Sequence, residues 1–349
     1  MMSSRRRRAL TAGVAAAGAV AGGIAAGTAL RRHRRGGVPG VHEPLAMLPP
    51  HDLGPVAAAD GTPLEVHAAG PDDAPTLVFV HGFSLDLTIW HYQWTGLEGL
   101  RCVLYDQRGH GRSGASSDLT LDAMGRDVGA VLDAVAGERR VVLVGHSMGS
   151  MAILSAAEAG VLGDRVAGVA LIGAASSDLL RGAMGSITGM LRPRLGTFAS
   201  TAHRVDLVRR AVLASPTDVA GTFTRLTQFG PDAPKELVDH IVRLAARASS
   251  EVWTDGLTNL MEMDLRHAIA KLTVPALVVV GQHDRVTPPS AAVQLAGTLP
   301  GGRLAVIPGA GHLPMLERPT DVNDHLRSFA AEVLPASDAE AANLKRGKA

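Results

Sequence analysis

A series of short apolar runs constrains the fold of this 349-residue chain more than any other feature. A strand that is apolar throughout needs cover on both faces, as in a parallel sheet with helices on either side. The β-type runs are 64–70, 76–82, 101–107, 141–147, 166–174, 275–284 and 303–312. Helical patterns such as 119–136 and 148–160 lie between them, and this alternation predicts a doubly wound α/β fold.

One interval breaks the alternation. About 100 residues separate the run that ends near Ala174 from the run that begins near Pro275, far more than a single crossover connection needs. The interval has helical character, and we expect most of its scattered apolar side chains to form a small core of their own. It predicts a helical lid over residues 175–262, inserted between two strands of the sheet.

The segments that flank the folded domain differ from it in composition. Residues 36–55 are rich in glycine and proline and are predicted to be a linker, so that the folded domain spans 56–334. The polar tail over 335–349 is expected to be disordered.

Residues 1–35 form a basic segment around an uncharged centre. Arginine clusters enclose the alanine- and glycine-rich residues 9–30, which as a helix would be long enough to cross a bilayer core. The low hydrophobicity of this stretch equally suits an export signal. We therefore predict a membrane anchor or an export signal over 1–35, and a cytoplasmic protein is the alternative.

Charge and cysteine usage exclude several classes of function. Eight of the 34 basic residues lie in 1–35, so the rest of the chain carries an acidic excess that argues against a nucleic-acid partner. Cys102 is the only cysteine, which excludes an intramolecular disulfide, and its apolar neighbours indicate a buried, unreactive thiol. No cluster of His, Asp and Glu shows ligand spacing, and the sequence predicts neither a metal nor a cofactor.

The run VVLVGHSMG at 141–149 ends in polar residues that have no packing value in a buried strand. Gly145 and Gly149 flank Ser147 in a G-x-S-x-G pattern, with a strand before it and a helix after it. Such a turn lifts the serine hydroxyl to the carboxyl edge of the sheet, beside the free amides of the helix N-terminus. The pattern predicts a nucleophilic serine.

A serine nucleophile needs a base, and the base needs an acid to orient it. His312 lies in a glycine-rich loop after the final strand, and Asp284 ends the preceding strand. Both are therefore expected at the same sheet edge as Ser147. Asp106, in a polar turn that we expect to hold an internal salt bridge, is the reserve candidate for the acid.

From residue 56 to residue 333 the chain resembles the α/β-hydrolase fold family. The resemblance is carried by HGF at 81–83, DQRGHGRS at 106–113, GHSMG at 145–149, GQHDRVTP at 281–288 and GAGHLPMLERP at 309–319. It implies a mostly parallel, eight-stranded sheet with an inserted helical lid. It also implies Ser147 as nucleophile, Asp284 as acid, His312 as base, and the backbone amides of Phe83 and Met148 as the oxyanion hole.

The resemblance fixes the reaction less closely than the fold. A serine at position 147 argues against the epoxide hydrolases and haloalkane dehalogenases, which attack with an aspartate. We expect a serine carboxylic-ester hydrolase acting on a small-molecule ester with a small to medium hydrophobic acyl group. A cofactor-free haloperoxidase or perhydrolase, a carbon–carbon hydrolase and an acyltransferase remain alternatives, and a lidded ligand-binding module is the non-enzymatic one.

Overall fold

Eight strands form one sheet, as expected. They are β1 His51–Ala57, β2 Pro63–Ala69, β3 Thr76–Val80, β4 Arg101–Tyr105, β5 Val141–His146, β6 Val166–Ile172, β7 Ala276–Gly281 and β8 Arg303–Ile307. In the computed structural model, which describes residues 45–137, 139–175 and 218–334, the strand order is β1-β2-β4-β3-β5-β6-β7-β8. β2 is antiparallel to both of its neighbours, and all other neighbouring strands are parallel.

Helices connect the parallel strands. Within the described ranges they are α1 His91–Gly96, α2 Leu121–Val135, α3 Met148–Glu158, α4 Val219–Gln228, α5 Lys235–Arg247, α6 Leu257–Glu262, α7 Arg266–Lys271, α8 Pro289–Thr298, α9 Pro314–Glu317 and α10 Pro319–Val333. Short 3-10 turns occur at Leu87–Trp90 and Gly163–Arg165, and a π-helical turn spans Val252–Gly256. The predicted alternation of strand and helix is confirmed.

The central strands β3, β5, β6 and β7 are buried at every position. Successive side chains of a strand point to opposite faces, and β5 divides between two apolar cores. Val141 and Leu143 join the core on one face, and Val142 and Val144 join the core on the other. Each such burial stabilises the fold by about 1.5–3 kcal/mol. Because both faces are covered, polar side chains can reach a ligand only from the loops at the strand ends.

Strand β1 was not among the predicted runs, and the linker predicted over 36–55 overlaps it by five residues. The strand contains Gly54 and Pro55, which weaken a strand pattern in the sequence. They are tolerated because, among the described residues, β1 is an edge strand that pairs with β2 alone, and its register is irregular between Asp52 and Gly54. The folded domain therefore begins before residue 56.

The described part of the chain between β6 and β7 is mostly helical and contains α4, α5, the π-helical turn, α6 and α7. Phe229 is fully buried in the domain core, whereas Phe223 on α4 is 51% exposed. The apolar residues of this insert therefore serve the main core as well as the insert itself. Residues 176–217 lie outside the described residues, and closure of the insert over the site as a lid stays a prediction.

The other segments singled out at the ends of the chain also lie outside the described residues. These are the anchor or export signal over 1–35, most of the predicted linker and the tail over 335–349. Among the residues that the structure does describe, no helix combines the length and the apolar character needed to cross a membrane.

Cys102 lies within β4 and is 1% exposed. Burial raises the pKa of its thiol to about 12, so the reactive thiolate is scarce at neutral pH. The thiol is therefore buried and unreactive, as its apolar neighbours in the sequence indicate.

Candidate active site

Ser147 connects β5 to α3 in a strained backbone conformation. Its φ is 51° and its ψ is −118°, in a region that costs a residue with a Cβ about 1–3 kcal/mol. The Ser147 amide donates a hydrogen bond of 2.8 Å to the carbonyl oxygen of Ile172 at the end of β6. The neighbouring strand therefore helps to hold the turn in place, and the serine side chain is only partly buried.

The two glycines of the pattern are explained by close approach of backbone. A Cβ at Gly145 would lie 2.6 Å from the Cα of Ser150, and a Cβ at Gly149 would overlap the carbonyl oxygen of Val80. Helix α3 therefore begins in direct contact with β3 and β5. The hydroxyl of Ser150 donates a hydrogen bond of 2.8 Å to the carbonyl oxygen of Gly145, which ties the first turn of α3 to the strand.

The resemblance implies an oxyanion hole formed by the backbone amides of Phe83 and Met148. Met148 is the first residue of α3, where a helix leaves its amides without an intrahelical partner. Within the described part of the chain, neither amide donates a hydrogen bond. The loop after β3 approaches the serine closely, since a Cβ at Gly82 would lie 3.3 Å from the Cβ of Ser147. The amide of Phe83 thus belongs to a loop that borders the serine.

His312 and Asp284 form a buried hydrogen-bonded pair. Nδ1 of His312 lies 2.8 Å from Oδ2 of Asp284. Oδ1 of Asp284 accepts the amides of Val286 and Thr287 at 2.8 and 2.9 Å, and the Thr287 hydroxyl donates to Oδ2 at 2.8 Å. Thr287 was not singled out from the sequence, although its position three residues after an aspartate is typical of such a turn.

Burial by itself raises the pKa of Asp284, but the adjacent His312 and the hydrogen bonds from Thr287 outweigh it, and the pKa lies below its ordinary value. The carboxyl group is therefore ionised and accepts the proton on Nδ1 of His312. This tautomer leaves the lone pair of Nε2 free to accept a proton.

The structure places His312 beside the serine turn without a hydrogen bond between the two side chains. Nε2 of His146 donates to the carbonyl oxygen of His312 at 2.9 Å, and the two imidazole rings are 4.9 Å apart. Burial, with the nearby His312, lowers the pKa of His146 to about 3, so His146 stays neutral. No hydrogen bond from the Ser147 hydroxyl to His312 is present among the described residues. In sites without substrate such contacts are often long.

Among the described residues, Asp106, the reserve acid, makes no hydrogen bond to His312. Its carboxylate oxygens accept the amides of Leu87 and Arg112 at 2.7 and 2.8 Å. Burial and the nearby Asp86 raise the pKa of Asp106 to about 7. Asp106 therefore orders the backbone of two loops, and Asp284 is the carboxylate in contact with the candidate base.

The internal salt bridge expected in the turn at 106–113 is formed with partners outside it. Arg108 donates to Asp127 of α2 at 2.6 and 2.7 Å and to Asp60 at 2.9 Å. The expectation was wrong about the partners, because both aspartates are distant in sequence. His81 in the loop after β3 accepts the Gln107 amide at Nε2, 2.9 Å, and donates from Nδ1 to the Gly82 carbonyl at 2.8 Å. It thus shapes the loop that carries Phe83.

Among the described residues, three side chains that could together ligate a metal ion lie close to one another, although the sequence does not reveal them as a cluster. Asp52 on β1 faces His67 on β2, and with Glu65 their ligand atoms lie within 4.8 Å of one another. The sequence shows no ligand spacing here because Asp52 comes close to Glu65 and His67 only through the pairing of β1 with β2. Glu65 and His67 already hydrogen-bond to each other at 2.9 Å.

A mostly parallel sheet that carries a strained serine and a hydrogen-bonded histidine–aspartate pair at one edge defines the class of α/β hydrolases. The sequence model of the alpha/beta hydrolase fold family matches residues 75–319, and the chain belongs to that family.

Known proteins similar to this chain include a chloroperoxidase and esterases. It is 28% identical over 265 residues to a non-heme chloroperoxidase of Burkholderia pyrrocinia, covering 74% of this chain and 93% of the relative. It is 28% identical over 289 residues to a bifunctional esterase/perhydrolase of Acinetobacter calcoaceticus, covering 79% and 99%. A thermophilic esterase of Thermogutta terrifontis superposes with a TM-score of 0.65 at 24% identity, covering 81% of this chain and 99% of that one. These relatives support a hydrolase, and the last likeness shows the fold.

Proposed function

We propose that the protein is a serine carboxylic-ester hydrolase with Ser147, Asp284 and His312 as its catalytic triad. The observation that carries the proposal is the hydrogen bond of 2.8 Å between Asp284 and Nδ1 of His312, at the sheet edge where Ser147 is held with positive φ. Relatives named as an esterase/perhydrolase and as a chloroperoxidase are consistent with acyl chemistry on this set.

In the acylation step, Oγ of Ser147 attacks the ester carbonyl carbon while Nε2 of His312 accepts the serine proton. Negative charge then develops on the carbonyl oxygen, and the amides of Phe83 and Met148 are free to donate to it; removal of one such donor costs about 3 kcal/mol. Collapse of the tetrahedral intermediate breaks the ester C–O bond, and the departing alcohol takes the proton from His312. Ionised Asp284 stabilises the imidazolium throughout.

Water completes the reaction by the same path. His312 accepts a proton from water as the water oxygen attacks the acyl carbon, and the proton then returns to Oγ of Ser147 as the carboxylic acid leaves. The oxygen of hydrogen peroxide could attack in the same step and give a peracid. The esterase/perhydrolase among the relatives favours this second candidate activity, which uses the same triad.

The surroundings of Phe83 favour a hydrophobic acyl group. The ring of Phe83 meets Trp253, from the π-helical turn of the insert, edge to face at 5.1 Å. The centroid of the His110 ring lies 6.5 Å from that of Phe83, and burial lowers the pKa of His110 to about 3, so it is neutral. This aromatic surface next to the proposed oxyanion hole carries no charge.

The decisive experiment replaces Ser147 by alanine. With p-nitrophenyl acyl esters of increasing chain length, kcat/KM of the variant should fall by at least about 10⁴-fold. A fluorophosphonate probe should modify the wild-type protein at Ser147 and leave the variant unmodified. Ser290→Ala, an exposed position in α8, is the matched control and should behave as wild type.

Three outcomes would count against parts of the proposal. Turnover of the esters by the Ser147→Ala variant at the wild-type rate would refute the serine mechanism. Absence of a covalent adduct on the wild-type serine would favour a ligand-binding module. Peracid formation from peroxide that exceeds ester hydrolysis on the same preparation would favour the perhydrolase.

A further inference from the structure

Within the insert, the link between α4 and α5 lies directly against the loop that carries the proposed base. We call residues 228–230 the return segment and residues 309–312 the base loop. The amide of His312 donates to the carbonyl oxygen of Gln228 at 2.7 Å. A Cβ at Gly311 would lie 2.6 Å from that same oxygen, so the two backbones touch with no side chain between them. Any shift of the return segment therefore displaces the base loop.

Glu317 joins these two segments through one carboxylate. Its Oε1 accepts the Gly311 amide and its Oε2 accepts the Gly230 amide, each at 2.7 Å. The side chain is 7% exposed and belongs to the short helix α9, five residues after His312 in the sequence. Hydrogen bonds from neutral donors to a carboxylate are stronger than those between neutral groups. One buried carboxylate thus binds two backbone amides, those of Gly230 and Gly311, that are 81 residues apart in the sequence.

We propose that Glu317 is a positioning residue for His312. It fixes the base loop against the return segment, and so sets where Nε2 of His312 stands relative to Ser147. Among the described residues, the Glu317 carboxylate accepts hydrogen bonds from the backbone amides of Gly230 and Gly311 and from no side chain of the proposed triad. The inference rests on the proposed function in that it takes His312 to be the base.

To bind both amides, the side chain at position 317 must offer a hydrogen-bond acceptor at each of its two terminal atoms. Glutamine has nearly the same shape, but one of its two terminal atoms is an NH₂ group, which would face a backbone N–H and repel it. Aspartate keeps the charge but is one methylene shorter, so it cannot reach both amides from the same backbone position. Burial raises the pKa of Glu317 to about 7, although the hydrogen bonds from the amides of Gly230 and Gly311 and the charge of Arg318 lower it. The assay should therefore be run at pH 8.5, where the Glu317 carboxylate is ionised.

The experiment compares Glu317→Gln and Glu317→Asp with the wild-type full chain. The readouts are the rate constant and the final extent of fluorophosphonate labelling, kcat and KM for p-nitrophenyl acetate, and the NMR signal of the His312 Nδ1 proton. Displacement of a catalytic group by about 1 Å can cost about 100-fold in rate. We expect both variants to lose about tenfold or more in the labelling rate constant and in kcat. KM should stay within about twofold, labelling should reach completion, and the proton signal should shift.

Two matched controls separate positioning from stability. Glu332→Gln removes an exposed carboxylate that pairs with Arg303 on the outer surface, and it should leave all readouts unchanged. Leu132→Ala removes a fully buried side chain of α2, in the apolar core that contains neither Phe229 nor Ala310, and so lowers stability away from both segments. It should lower the melting temperature but keep the labelling rate constant.

The outcomes are distinct. Wild-type rate constants with an unshifted proton signal in the Glu317 variants would overturn the positioning role. A reduced extent of labelling at an unchanged rate constant would also overturn it, because an unfolded fraction alone gives that result. A wild-type protein that the probe does not label would refute the proposed function, and the NMR signal would still decide whether Glu317 positions His312.

Discussion

Replacement of Asp284 by asparagine isolates the proposed path of the proton. Oδ1 can still accept the amides of Val286 and Thr287, so the turn after β7 keeps these two hydrogen bonds, whereas the Thr287 hydroxyl loses its acceptor at Oδ2. The NH₂ group takes the place of Oδ2 and faces Nδ1 of His312, which is a donor in the wild type. To avoid two opposed donors, His312 must move its proton from Nδ1 to Nε2. The imidazole then has no lone pair for the proton of Ser147.

The size of the effect follows from this change of tautomer. A Ser-His-Asp triad with the wrong histidine tautomer loses about 10⁴ in kcat, which corresponds to about 5.5 kcal/mol in the activation free energy. The effect on folding is smaller. The lowered pKa of Asp284 means that its charge stabilises the folded state above its ordinary pKa, and loss of one charge-assisted hydrogen bond costs about 1.5–3 kcal/mol.

The assay measures kcat on a p-nitrophenyl ester at pH 8 and the free energy of unfolding in urea, on the same preparation of Asp284→Asn. Asp264→Asn serves as the control, because Asp264 is an exposed aspartate whose partner is Arg266. It should retain wild-type kcat. A kcat for Asp284→Asn within tenfold of wild type, in a folded protein, would refute the assignment of Asp284 as the acid of the triad.

Three further predictions concern the serine turn and the buried histidines. Gly149→Ala places a Cβ on the carbonyl oxygen of Val80, so α3 must move; we expect about 1–3 kcal/mol of destabilisation in urea and fluorophosphonate labelling slowed by about 100-fold. Ser150→Ala removes the bond of 2.8 Å to Gly145, and urea denaturation should show a loss of about 1 kcal/mol with kcat within about twofold of wild type. Burial lowers the pKa values of four histidines to about 3 or 4, namely His81, His110, His146 and His240. Between pH 6 and 5 the unfolded chain should therefore bind about four protons that the folded chain does not bind. Asp106 and Glu317, whose pKa values are raised to about 7, bind two protons in the folded chain that the unfolded chain does not bind. The net difference of two protons predicts that the free energy of unfolding falls by roughly 2.7 kcal/mol per pH unit on acidification. A stability that does not change with pH in this range would contradict the lowered pKa values of the four histidines.

The parts of the molecule that repeat a local pattern could be predicted from the sequence. The apolar runs at β5, β6 and β7 identify central strands, because a short segment that is apolar throughout is typical of a strand covered on both faces of a parallel sheet. The contact between Asp284 and His312 follows from the same logic, because the carboxyl ends of neighbouring parallel strands meet at one edge.

Features that depend on distant partners could not be predicted. β1 is marked by Gly54 and Pro55 and is recognisable only once β2 is known to lie beside it. Arg108 pairs with Asp127, and nothing in the spacing of nineteen residues selects that aspartate over others. Glu317 lies in the motif at 309–319, but the sequence does not predict its role, because its two partners are backbone amides and no residue type in the sequence identifies such a partner.

The burial of Cys102 gives the protein a practical property. The chain has a single thiol, and that thiol lies in the middle of the sheet with a pKa of about 12. A cysteine introduced on the insert, for example Phe223→Cys at a position that is half exposed, would therefore be the only thiol that a maleimide dye or spin label can reach. Motion of the insert can therefore be followed spectroscopically in this chain without first removing a native cysteine.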